Sequence, residues 1–395
     1  MTVKTNLAGA TNFVLQEALN AYSDEAYTTA RKLSGTGIVS SNPQIDTSTE
    51  TFMGQMRWFK PLNPTINVAS LTDSTAGSTT TYSSEYLRYI KTVRTHGATK
   101  INMQQVVTQQ DGLAKIGRDF GETRAQDEHD AVLAVLRGVA ISELLNGAAA
   151  GSGATGLGGQ TFNNDPTDPK YGFYVDLGAS KAVVDASSSV QGAARAEGFL
   201  RAVGMAWKDY EAPYYYLITS PEMMASFRSA NLVDADRVVD GNVEFNTLFQ
   251  GKFRLIQTRA TQSLSGAEFT KINTGAGVDI VGTKTTFIVL PGALAMEPLA
   301  VPDPTEIDRS AAAYKGGGTT SIWYRWGYVL HPAGYDWAGP EDAFPANADY
   351  MSVMESTNKV ALTAVVSGTL ASTSGIWKRK ATSALGLGIL PVFHS

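Results

Sequence analysis

Three short stretches hold residues able to do chemistry. "WGYVLHPAGYDW" (Trp326 to Trp337) places His331, one of four histidines, shortly before Asp336. An imidazole within hydrogen-bond reach of a second group is the minimum for acid–base or nucleophilic work. "DEHD" (Asp127 to Asp130) gathers carboxylates about His129, and Asp127 and Asp130 are spaced to share one face of a helix. "GSGATG" (Gly151, Gly153, Gly156) matches the glycine pattern that lets a backbone cradle a pyrophosphate at a helix N-terminus.

Each stretch also has a plainer reading. Pro332 restricts His331 to extended conformations, and Gly334 permits a turn or bulge, so a strand ending in a bend accounts for "LHPAGYDW" without catalysis. A metal at "DEHD" would need further ligands converging from elsewhere, and no second histidine or acidic cluster looks like their source. A polar face, solvated or between subunits, is the simpler expectation. The glycine pattern follows a helical stretch rather than a strand, and "GLGGQTFNNDPTDP" after it cannot be a helix, so it reads as a loop. The motifs of P-loops, serine-hydrolase elbows and zinc proteases are missing. No catalytic, cofactor-binding or metal-ligating residue is assigned, and no enzyme activity is expected.

Composition narrows the class. The chain has 395 residues, 43% apolar and 17% charged, with a formal net charge of −5 and no cysteine. It is globular and rather poor in charge, which suits a molecule that hides surface in partners. The negative balance argues against a protein whose main task is gripping phosphates. Disulfides, thiolate metal sites and cysteine nucleophiles are excluded. The opening "MTVKTNLAGATNFVLQEAL" lacks the features of a signal peptide. No apolar run approaches the roughly 20 residues that span a bilayer.

The elements that would position these residues follow in order. "NFVLQEALNAYSDEAYTTARKL" (Asn12 to Leu33) has a helical pattern, and "SGTGIVSSNPQIDTSTE" after it has too few apolar residues for a core of its own. "TINVASL" (Thr65 to Leu71) and "YLRYIKTVRTHGATKINMQQV" (Tyr86 to Val106) have strand composition. Between them "TDSTAGSTTTYSSE" reads as the tip of a two-stranded ribbon, which is marginal alone in water and calls for a neighbour. The stretch from Gly112 to Gly147 reads as one long helix of roughly 50 Å, with Asp111 as N-cap and a polar middle. A glycine-rich loop runs to about Gly178. The block from Gly192 to Pro298 alternates a helix ("AARAEGFLRAVGMAWKDY"), a strand ("YYYLITS"), a helix ("PEMMASFRSA", with Ser220 as N-cap and Pro221 at N1), and the strands "QGKFRLIQTRA" and "TTFIVLPGALAMEP". "KVALTAVVSGTL" and "GIWKRKATSALGLGILPVF" read as strands.

Charge is unevenly placed. Between Thr51 and Lys100 six basic residues (Arg57, Lys60, Arg88, Lys91, Arg94, Lys100) face two acidic ones, Asp73 and Glu85. From Asp336 to Glu355 there are five acids (Asp336, Glu341, Asp342, Asp349, Glu355) and no lysine or arginine. Opposite fields on a projecting loop and a distant loop suit contact between copies of one chain; two solvated faces would look the same.

The ordered set of parts resembles the major capsid proteins of tailed bacteriophages, whose fold is shared with herpesvirus shells. The likeness runs through "FMGQMRWFKPLNPTINVASL", the long helix from Gly112, "YYYLITSPEMMASF", "LFQGKFRLIQT", "YRWGYVLHPAGYDW" and "GIWKRKATSALGLGIL". It implies an α+β fold divided into an N-terminal arm (1–50), an extended β-loop (51–108), a peripheral domain with a spine helix and glycine-rich loop (109–191), an axial domain (192–298), and return strands with a C-terminal segment (299–395). It implies further that His331 is a structural corner. Arm and β-loop would wrap neighbouring subunits, and hexamers and pentamers would close an icosahedral shell around double-stranded DNA, without sequence-specific binding, cofactor or membrane. The implied setting is the virion, assembled in the bacterial host's cytoplasm, with a portal and room for a decoration protein. Some relatives crosslink through a lysine on the loop tip; Thr72 to Glu85 contains none, so no such weld is expected. About 50 residues precede the loop, so scaffolding is expected from a separate protein. An encapsulin-like nanocompartment shell and a soluble α/β enzyme with the 147–178 loop as lid are the competing readings.

Overall fold

The computed structural model describes residues 2–60, 83–101, 112–150, 154–155, 161–162, 173–176, 212–229, 231–240, 243–258, 284–310, 318–365, 373–380 and 386–394. "TINVASL", most of the ribbon tip, the helix expected at 193–210 and most of the glycine-rich loop lie outside them.

Chain order begins with helix α1 (Thr2–Ala30), then β1 (Val39–Ser40), β2 (Met53–Phe59) and β3 (Ser84–Ile101). Helix α2 (Gly112–Ala150) follows, then the short strands β4 (Ala154–Thr155), β5 (Thr161–Phe162) and β6 (Val175–Asp176). Next come β7 (Tyr215–Thr219), helix α3 (Pro221–Ser229), β8 (Val233–Asp240), β9 (Val243–Leu248), β10 (Phe253–Gln257) and β11 (Lys284–Val289). The chain then runs through β12 (Leu294–Pro298), β13 (Thr305–Ser310), β14 (Thr319–Pro332) and β15 (Tyr335–Trp337). It finishes with β16 (Val353–Glu355), β17 (Asn358–Val360), β18 (Thr373–Gly375), β19 (Trp377–Arg379) and β20 (Ile389–His394). The fold is mixed α+β.

The long helix forms as its pattern predicts, over 39 residues. Its polar middle is covered in part by another element: Gly121, Ala125, Glu128 and His129 are buried, while Glu122, Gln126 and Asp130 stay exposed. Helix α1 lies along it in the same direction, so that Leu19 and Tyr22 meet Gly117 while Ser23 and Tyr27 meet Gly121. A Cβ on Gly121 would stand 2.2 Å from the Ser23 carbonyl oxygen, so the two backbones touch where the side chain is absent. Within the chain this part of the arm packs on α2, with Leu19 fully buried.

Two sheets flank α2. The first has the order β1-β12-β14-β3-β2, with β13 pairing the outer half of β14. Strand β3 spans both the ribbon and the body. Residues 84–90 pair with β2, and 91–101 pair with β14. Residues 41–51 cross one face of this sheet as a strap, burying Ile45 with Met56, Leu87, Tyr89, Leu299 and Val329.

The second sheet runs β4-β5-β6-β20-β11-β7-β10-β9-β8. All five residues of β7 are buried, and it pairs parallel with β10, a pairing that needs the intervening crossover. Ser220 caps α3 as expected, its Oγ accepting from the Met223 amide at 3.3 Å. "TTFIVLPGALAMEP" is not one strand. Pro291 lacks the amide a ladder requires, Gly292 takes φ 71°, and the chain turns there so that β11 and β12 enter different sheets. "KVALTAVVSGTL" departs as well: strand β17 ends at Val360, and Leu362–Ala364 form a 3₁₀ turn.

Candidate functional site

His331 closes the longest strand of the return region. Strand β14 ends at Pro332, Gly334 takes φ 81°, and β15 leaves at Tyr335. The imidazole is fully buried and meets the Trp377 ring edge-on, with centroids 5.7 Å apart. Neither ring nitrogen makes a well-formed hydrogen bond among the described residues. Burial pushes its pKa down to about 4, against a small opposing pull from the Tyr335 backbone and Asp336. This is a neutral ring packed as an aromatic. Asp336 faces elsewhere, accepting from the Arg88 amide at 2.7 Å.

The "DEHD" carboxylates sit at the joints of the molecule. Asp127 accepts from Trp326 Nε1 (3.1 Å), the Tyr328 hydroxyl (3.0 Å) and Asn347 Nδ2 (3.1 Å), tying α2 to β14 and the 340s loop. Glu128 is buried, accepting from the Tyr27 hydroxyl at 2.7 Å and Arg124 Nε at 3.2 Å. The Arg124 guanidinium lies 4.1 Å from the Tyr27 ring centroid. His129 is buried too, near Thr258, and burial followed by the Lys32 charge lowers its pKa to about 4. These groups each face a different element, so they do not converge on one ion. Of "GSGATG", the described Ala154 and Thr155 form a strand after a helix, the reverse of a dinucleotide cradle.

The basic stretch and the acidic loop do meet, inside one chain. Arg88 pairs with Asp336 at 3.3 Å and with Glu341 at 3.4 Å. Arg94 donates to the Pro345 carbonyl at 2.6 Å and Asn347 Oδ1 at 3.0 Å, and stands 3.5 Å from Asp127. Lys60 pairs with Glu85 beside it on the ribbon. Asp349 accepts from the Ala346 amide and pairs with Lys359 at 2.9 Å. Glu355 ends β16 half-buried, Lys100 lies in register with Thr320, and Asp342 is exposed. Arg57 is exposed, donating to Ser84 Oγ at 3.0 Å with its guanidinium 5.2 Å from the Phe59 ring centroid.

Lys91 has the least exposed position of the set. Its ammonium is fully buried under the strap, donating to Asp46 Oδ2 (2.7 Å), the Ser48 carbonyl (2.7 Å) and Thr51 Oγ1 (3.2 Å). The Lys91 hydrogen bond, helped by the Ser48 amide, holds the Asp46 carboxyl well below the usual carboxylate range. The Asp46 side chain is 56% exposed, so water screens the pair and its main effect is to satisfy a buried ammonium.

Sequence reasoning did not find Asp46, Tyr27 or Glu143 as partners. Glu143 is buried, accepts from the Phe173 amide at 2.6 Å and pairs with Arg379 at 3.3 Å. Trp326 and Tyr328 did carry a usable signal: two aromatics with polar tips alternate onto one strand face, and buried tips require an acceptor.

Comparison of the sequence with known protein families finds no match, and no curated protein matches it. Among solved structures the chain is similar to the capsid of Ralstonia phage GP4, at 13% identity over 77% of this chain and 87% of that one, with a TM-score of 0.46. It is similar to the head structure of Helicobacter pylori bacteriophage KHP40, at 10% identity over 91% and 89%, with a TM-score of 0.45. A third similar structure is that of Mycobacterium phage Che8, at 12% identity over 75% and 85%, with a TM-score of 0.42.

Proposed function

We propose that this chain is the major capsid protein of a tailed bacteriophage, a structural subunit without catalytic chemistry. The observation that carries the reading is the realised order of parts: arm, ribbon, 39-residue helix, nine-stranded sheet, and a return through the "HPAG" corner into the body. That order is the one the sequence resemblance implies. Supporting it, residues that looked capable of chemistry are used to join elements, as at Asp127 and His331.

In this reading α2 is the spine of a peripheral domain, and strands β7 to β11 form the body of the axial domain, which gathers into hexamers and pentamers. Closed symmetry asks one chain to present different surfaces to different neighbours. Because Arg88, Lys91 and Arg94 are engaged internally, contacts between copies fall on what stays exposed, Arg57 and Asp342 among them. The shell encloses double-stranded DNA in the virion. A portal is a separate protein, a decoration protein has room to bind, and assembly takes place in the host cytoplasm. Electron microscopy of the purified full chain tests this: closed shells are expected, and uniform small oligomers under every assembly condition would reject it.

A further inference from the structure

Among the described residues, exposed aromatic side chains stand beside an exposed charge at two places on the sheet faces, Tyr86 and Phe59 about Arg57, and Trp323 near Asp308. Tyr86 on β3 is 66% exposed and lies in register with Arg57 of β2. Trp323 on β14 is 45% exposed and lies in register with Gly97 of β3 and Glu306 of β13. A Cβ on Gly97 would come within 2.7 Å of the Trp323 ring, so the indole lies flat across bare backbone and forms a platform. Glu306 is paired with Arg325 at 2.6 Å. Asp308, in register with Ser321 on the same face, is exposed and makes no ion pair among the described residues.

These two faces cannot cover one another within a chain. Tyr86 and Gly97 fall on opposite faces of β3 by strand alternation, and their separation along it is roughly 35 Å. One patch is aromatic with a cation and the other aromatic with an anion. That complementarity fits a second copy of this chain better than an unrelated partner. Because the patches differ, the contact is head-to-tail, the kind that closes rings. Aromatic residues and arginine are also the groups enriched where interfaces gain their energy.

We propose that the Tyr86–Arg57 face of one copy docks on the Trp323–Asp308 platform of the next, Arg57 meeting Asp308. The inference rests on the capsid reading for the identity of the partner, and deepens it by naming the contact. The chain has no cysteine, which makes a clean test available. The full chain carrying Tyr86→Cys and Trp323→Cys together is oxidised and run on a non-reducing SDS gel, with electron microscopy of the same sample. A disulfide requires Cα atoms about 4.4–6.8 Å apart, so closure within one chain is excluded. A ladder of multimers from the double variant, with each single variant monomeric, is the expected result. In parallel, Arg57→Glu and Asp308→Arg should each lower the yield of assemblies severalfold, and the two together should restore it. A ladder or a rescue without closed shells would keep the contact and reject the capsid. Shells showing neither ladder nor rescue would overturn the docking and leave the capsid reading intact; unassembled chain showing neither would overturn both.

Discussion

Strand β3 has two differently furnished stretches. From Lys91 to Arg94 it is enclosed: a strap covers one face, the 340s loop and α2 cover the other, and each charge finds its partner in the same chain. Near Tyr86, and again where Gly97 underlies Trp323, it presents aromatic surface to solvent. The difference separates what the chain satisfies by itself from what it leaves exposed. Charge density along a sequence does not distinguish the two; burial does.

The enclosed side should be costly to disturb. Glu143→Ala takes a buried carboxylate away from the buried Arg379 and should cost about 3–5 kcal/mol in denaturant unfolding of the unassembled chain; a change under about 1 kcal/mol would show that the pair is not buried as described. Asp127→Ala strips one acceptor from Trp326, Tyr328 and Asn347 together, and should cost about 2–3 kcal/mol by the same measurement. A value near zero would mean that the joint between α2 and β14 relies on packing alone.

The buried histidines give a pH signature. His331 titrates near 4 when folded and near 6.5 when unfolded, so below pH 6.5 the unfolded chain binds more protons. Stability should therefore be full above that value and fall as pH drops from about 6.5 to 4, by on the order of 3 kcal/mol for this ring. His331→Phe should flatten that slope in melting temperatures taken across the range, whatever it does to stability at neutral pH; an unchanged slope would place the titration elsewhere. Asp46 acts at a lower pH. Its carboxyl is depressed, so the strap stays fastened through this range and loosens only as acidity passes well below the usual carboxylate value. The exposed side should be cheap to alter: Tyr86→Ser should change subunit stability by no more than about 0.5 kcal/mol while reducing assembly. A large loss of stability there would erase the contrast between the two stretches.

Much of the architecture was legible because it is written in local patterns. The helix beginning at Gly112, the cap at Ser220 and the corner at His331 each follow from periodicity, a capping residue or a proline–glycine turn. What escaped depended on distant partners. Nothing near Lys91 in sequence reveals that Asp46 will cross over it, and nothing near Glu128 reveals Tyr27. "TTFIVLPGALAMEP" misled because its apolar run continues through a residue unable to sustain a ladder. For the charged clusters, opposite sign was read correctly, but sign alone does not say whether partners lie within a chain or between chains. The stretch after Leu33 looked too poor in apolar residues for a core of its own because its core is completed by the sheet it crosses, where Ile45 packs with Met56, Leu87 and Val329.

Strand β20 enters the second sheet between β11 and β6, with Ile389 opposite Val289. During translation the free edge of β11 must wait for residues made about 100 positions later, roughly 5–20 s at ordinary elongation rates. Over that interval the ribosome holds a half-built sheet with a bare hydrogen-bonding edge, a template for mispairing with other nascent chains. Arrival of β20 covers that edge and ends the hazard.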